Sequence, residues 1–187
     1  LDAFSYLSVL LSIILGLGMT QVLTAAGRVI RGRHRVRIYW PPLVWSGVLL
    51  LVFVQAWWAM FGLRLHTDWT FLTFVVVLAQ TVTMYMMAAV VLPEEIGEDG
   101  VDLRVYYDEQ RRWFFGFLLA TLVVSVLKDV VVGGRLPNAL NLAFHALLAA
   151  VCLAGLTSSR ARVHQALAIG SALLFIVYIS TLFARLA

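Results

Sequence analysis

One cysteine, four prolines and a charged fraction of only 13 % leave this 187-residue chain with little of what a soluble domain is built from. The lone Cys152 excludes an internal disulfide and any cysteine-based metal site, and it falls in an apolar run where it reads as a small core residue. With 62 % hydrophobic residues and a mean hydropathy of +0.93, the scarcity of charge excludes a water-soluble globule. No phosphate loop, no His-Glu metalloprotease motif and no Gly-x-Ser-x-Gly occurs, so no enzymatic activity is expected. Histidines number four: His145 is the only deep one, His66 and His164 are expected near opposite surfaces, and His34 sits among arginines. No bis-histidine pair for haem emerges, and no cofactor other than bound lipid is expected.

What the chain does have is six apolar runs of roughly twenty residues, the length a helix needs to cross a hydrocarbon core about 30 Å thick. They run from about Phe4 to Gly27, Leu43 to Gly62, Trp69 to Leu92, Trp113 to Val132, Asn138 to Leu156 and Gln165 to Phe183. The predicted fold class is therefore all-α: a polytopic membrane protein, a six-helix bundle forming a single transmembrane domain over 1–187. The Trp40-Pro41-Pro42 break suits the first turn of the second span, and Gly133-Gly134 with Pro137 a tight connection. Leu1 is not expected to be a natural start, and no cleavable signal peptide is evident, because the first apolar run is too long and no basic region precedes it.

Arginine divides the connections into two sets. Arg28, Arg31, Arg33, Arg35 and Arg37 follow the first span, Arg104, Arg111 and Arg112 precede the fourth, and Arg160 and Arg162 precede the sixth. The other side has Arg64, Lys128, Arg135 and Arg185. The positive-inside rule then places both termini outside and the arginine loops in the cytoplasm. Arg31, Arg33, Arg35 and Arg37 are expected to contact anionic lipid, and this accounts for the net charge of +4 without nucleic acid.

The stretch 93–112 has an acidic half (Glu94, Glu95, Glu98, Asp99, Asp102) and a helical half. Leu103, Tyr106, Tyr107 and Gln110 form a face compatible with a short interfacial helix, or with a solvated extension of the fourth span. The acidic cluster reads as solvated.

Ser8, Ser12, Gly16, Thr20 and Thr24 recur every fourth residue, a small-residue row expected to be a helix-packing face. Ala146, Ala150 and Ala154 make a shorter one. The six tryptophans, Trp40, Trp45, Trp57, Trp58, Trp69 and Trp113, read as an aromatic belt, with the deeper Trp57 and Trp58 also placed to flank a ligand. The two three-span halves carry proline and histidine in corresponding places, but their spans share no convincing identity.

Polar residues within spans are the candidates for function, because a charge at mid-membrane costs about 2.5 to 3.5 kcal/mol on insertion scales. Gln55, Gln80, Lys128, Asp129, Asn141 and His145 gather toward the arginine-poor side, with Asn141 and His145 sharing one helix face and Ser125 and Asp129 another. Neighbouring positions point apart on a helix, so Lys128 and Asp129 are not expected to pair without tertiary help. The bland alternative has Lys128 snorkelling to the interface, Asp129 pairing with Arg135 or Arg64, and the glutamines bridging helices.

Gly16-Leu17-Gly18-Met19-Thr20-Gln21, Trp57-Trp58, Leu92-Pro93 and Arg111-Arg112-Trp113-Phe114-Phe115 together resemble a group of bacterial multi-span membrane proteins of unknown function. The resemblance implies a bacterial inner-membrane setting and carries over no catalytic or binding residue. The leading expectation is an interaction protein, either a homo-oligomer or an accessory subunit of a larger membrane complex, with lipids and membrane proteins as partners. The alternative is a small transporter or channel. What separates the two is whether the six polar side chains converge on a cavity.

Overall fold

A computed structural model of the chain describes residues 3–182. Six α-helices carry the fold: α1 Ala3–Arg31, α2 Trp40–Met60, α3 Phe71–Val91, α4 Leu103–Gly133, α5 Ala139–Thr157 and α6 Ala161–Leu182. All six are long and apolar enough to cross a membrane, so the chain is an all-α, multi-pass bundle. Leu1, the predicted end of the last span at Phe183, and Arg185 lie outside the described residues.

The helix starts follow local chemistry. Pro41 and Pro42 open α2 where their missing N–H groups cost nothing. Thr70, Asp102 and Asn138 cap α3, α4 and α5 through their side-chain oxygens. Gly134, in the left-handed region at φ 64°, ends α4 with its N–H on the Val130 carbonyl.

The segment preceding the fourth span takes one of its two expected forms, an extension of that span. There is no separate interfacial helix: from the Asp102 cap onward α4 is continuous for 31 residues, roughly 46 Å at 1.5 Å per residue. No glycine or proline interrupts it before Gly116, and its first turns are held by tertiary contacts, so nothing breaks the axis.

Within the bundle, α1 packs through a different stripe from the small-residue row. Its buried residues are Leu11, Leu15, Gly18, Val22, Ala25 and Val29, an alternating three- and four-residue spacing that keeps one stripe on the bundle. In the small-residue row, Gly16 and Thr20 are exposed while Ser8, Ser12 and Thr24 are only partly covered, and a Cβ on Gly16 would meet nothing within 4 Å. Gly18 is the glycine that packs: a Cβ there would lie 2.3 Å from Cζ of Phe53, which is fully buried. On α5, Ala146 and Ala150 are likewise exposed.

α3 packs between α1 and α4, α4 against α5, and α6 closes onto α2 and α5. The connections fall at two ends. At the arginine-rich end, Val36–Arg37 and Val101–Asp102 form a two-residue parallel ladder, tying the loop after α1 to the loop before α4. The Arg28 guanidinium donates to the Glu94 carbonyl, and Arg37 lies 3.8 Å from the Asp102 carboxylate. The acidic stretch is therefore anchored by its backbone, while Glu94, Glu95, Glu98 and Asp99 remain exposed.

Candidate functional site

Two polar regions occur in the bundle, one at each end. The arginine-rich end holds a closed network. Arg111 is only 8 % exposed, and its guanidinium donates to the carbonyls of Gly155 (3.0 Å) and Ser158 (2.6 Å) and to Ser159 Oγ (3.0 Å). These include carbonyls that the last turn of α5 leaves without intrahelical partners, and the positive charge complements the helix dipole there. His164 joins the same knot: Nε2 lies 3.0 Å from the Ser158 carbonyl and Nδ1 2.9 Å from the Tyr107 hydroxyl. With Nε2–H donating to the carbonyl, Nδ1 accepts the phenol proton.

His164 lies in the first turn of α6 at the arginine-rich end, and there it is 1 % exposed, packed among Tyr107 and Phe115. Trp45 likewise leaves the predicted belt: it is 2 % exposed, edge-on to Phe114 and Phe115 at 5.2 and 5.5 Å. Gly155 lets the Phe115 ring approach α5, where a Cβ would lie 2.5 Å from it. At the margin, burial and then the nearby Asp108 raise the Tyr39 phenol, opposed by Arg104. Both terminal nitrogens of the Arg111 guanidinium are engaged on protein atoms of the α5 end and the turn after it, which is the chemistry of a clamp.

The opposite end is open. A cavity of about 620 Å³ lies among α2, α3, α4, α5 and the connections 61–70 and 134–138. Exposed Gly62, Gly133 and Arg135 contribute to its wall, so it reaches the surface at the arginine-poor end. Gln55, Gln80, Lys128, Asp129 and Asn141 all line it, together with Thr81, Ser125 and Tyr178. A smaller chamber of about 70 Å³ lies deeper, sharing Gln55, Gln80, Ser125 and Tyr178 with the outer cavity. The sixth candidate, His145, lines this inner chamber.

Among the described residues, the side chains of Gln55, Gln80 and Ser125 make no hydrogen bond to the protein, although all three are partly buried. Glutamines bridging helices would be paired with each other or with backbone; these present their amides to the cavity. Lys128 Nζ is 3.9 Å from Asp129 Oδ1, so the two side chains converge despite adjacent positions on α4. The tertiary structure supplies what helical geometry alone does not: both line the cavity, and the long flexible lysine stem closes the angle. Neither Arg64 nor Arg135 lies within ion-pairing distance of Asp129. Tyr178 on α6 reaches Asn141 Oδ1 at 3.4 Å, and the Asn141 carbonyl accepts from His145 Nδ1 at 2.8 Å. His145 Nε2 thereby remains unengaged by protein.

Sequence reasoning missed Ser171 and Tyr178, which α6 brings to the inner chamber. Ser171 is 1 % exposed and its hydroxyl has no partner. A lone serine in an apolar run carries no signal of its own; only the neighbours across the bundle single it out. Trp57 and Trp58 line neither cavity, and Trp57 is 58 % exposed. Compared with family models, with curated proteins and with solved structures, the chain matches none.

Proposed function

We propose that this protein binds a small polar solute in the cavity at its arginine-poor end and moves it across the membrane. The observation that carries this reading is the convergence of Gln55, Gln80, Lys128, Asp129 and Asn141 from four helices on one cavity open to the surface. Ionisable groups in a membrane bundle are retained where they face an interior pathway, and amides with no protein partner are free to replace the hydration of a solute. With the arginine loops in the cytoplasm of a bacterial inner membrane, the cavity faces outward. The inner chamber lies on the way from it toward the closed Arg111 end.

The test is uptake into proteoliposomes of a panel of labelled solutes: amino acids, sugars, organic acids and polyamines. Uptake of at least one class, reduced by Lys128→Ala and by His145→Ala in protein that still folds, supports the reading. Unchanged flux in both variants, or no flux of any class, removes it.

A second reading, that of a homo-oligomer or accessory subunit, is supported by the α1 row. Gly16 and Thr20 are exposed and leave room for the close approach of another helix. Disulfide formation by Gly16→Cys in native membranes, giving a defined cross-linked band, would support it; only monomer would count against it. Exposed Arg31, Arg33, Arg35 and Arg37 suit contact with anionic headgroups, and their replacement by glutamine is expected to weaken anionic-lipid retention.

A further inference from the structure

The cavity wall is chemically two-signed. Lys128 is the chain's only lysine, and its ammonium stands 3.9 Å from the Asp129 carboxylate, inside the range of ion pairing but beyond a hydrogen bond. Among the described residues neither side chain hydrogen-bonds to anything in the protein. Three N–H donors and a carboxylate's lone pairs are therefore available side by side, within a bundle where they are screened less than at a surface. A solute of one charge gains one of these groups and is repelled by the other. A solute carrying both charges a few ångströms apart satisfies both.

We infer that the solute is a small zwitterion, with an ammonium that pairs with Asp129 and a carboxylate that pairs with Lys128; this rests on the solute-site reading above. The unpaired amides of Gln55 and Gln80, each both donor and acceptor, lie on the opposite helices and suit the remaining hydrogen-bonding positions of such a head group. Arg135 at the rim adds a positive charge that draws the carboxylate end first.

The inner chamber sets the third part of the ligand. It holds about 70 Å³ between apolar walls that include Val52, Leu122, Leu148 and Phe175. That space takes a substituent of a few heavy atoms and rejects an indole. The unpartnered Ser171 hydroxyl, 1 % exposed, lines the same chamber. A short side chain that ends in a hydroxyl gains a partner there that a purely apolar one lacks. The class is thus that of α-amino acids with small side chains.

The experiment is calorimetric titration of the whole protein in lipid nanodiscs with L-alanine, L-serine, L-tryptophan, propionate, propylamine and glucose. Alanine and serine are expected to bind about tenfold or more tighter than propionate or propylamine, each of which forfeits one charged contact. Lys128→Gln should erase the advantage of alanine over propylamine, and Asp129→Asn its advantage over propionate. This crossed loss is a change of selectivity that a general structural defect would not produce, and the wild-type ranking stands even if a variant fails to fold. Propionate, propylamine or glucose binding as tightly as alanine overturns the zwitterion while leaving a solute site in place. Binding by none of the six overturns the zwitterion, and the flux panel then decides the solute-site reading on its own.

Discussion

The Tyr107 hydroxyl lies 2.9 Å from His164 Nδ1, joining α4 to α6 across 57 positions of sequence at a point where both residues are almost fully buried. The bond exists because Arg111 and His164 share the Ser158 carbonyl, which fixes the imidazole and turns Nδ1 toward the phenol. It is a structural joint, remote from the cavity. Tyr107→Phe keeps the ring against Tyr39 and His164 but strands a buried acceptor. The expected loss is about 1–3 kcal/mol of stability, read as a lower unfolding midpoint in detergent, with solute binding at the cavity unchanged.

Arg111→Ala is expected to cost more. It removes a charged donor from the Gly155 and Ser158 carbonyls, of which only Ser158 keeps a second partner in His164, a loss of about 3 kcal/mol or more. Arg111→Lys should recover part of this, because an ammonium can reach one or two of the acceptors but not span them all. Thermal unfolding of the three proteins should rank wild type, Lys, Ala; an Ala variant as stable as wild type would contradict the clamp.

Gly16 and Gly18 on α1 make opposite predictions from similar surroundings in sequence. Gly18→Ala places a methyl against the Phe53 ring, where 2.3 Å is available, and should destabilise by about 1–3 kcal/mol through displaced packing. Gly16→Ala meets nothing within 4 Å and should leave the monomer's stability unchanged or raise it by up to about 1 kcal/mol. Measuring both midpoints in the same detergent checks the assignment of the packing face.

Water access to the cavity is testable with a charged, membrane-impermeant thiol reagent, since Cys152 is fully buried and silent. Gln80→Cys and Gln55→Cys should react, being on the cavity wall. Val82→Cys, 43 % exposed but on the hydrocarbon-facing side of the same helix, should not. Prior addition of a bound solute should slow only the first two.

The helices were legible in the sequence because length and apolarity decide whether a segment can lie in hydrocarbon, and Pro41-Pro42, Asn138 and Gly134 mark boundaries through their own backbone chemistry. That α4 begins at Leu103 was legible only as one of two alternatives, for a tertiary reason. Its first ten residues are helical but polar in sequence, and it is the burial of Leu103, Tyr107 and Arg111 against other elements that makes them a continuation of the span. The candidate polar residues were legible as well, since each is costly within a span. That Lys128 and Asp129 converge was not, because helical geometry alone sends adjacent residues apart.

By itself, then, the sequence determined that the chain forms six membrane-length helices with polar groups weighted to one end, through hydrophobicity, length and the cost of burying charge. The tertiary structure decided which face of α1 packs, since small and branched residues compete for the same contact and only the partner helix selects between Gly16 and Gly18. It also decided that Arg111 and His164 are structural, while Gln55, Gln80, Lys128 and Asp129 surround open space. A polar side chain reads alike in sequence whether its partner is a neighbouring carbonyl or a cavity, and only the position of other helices tells the two apart.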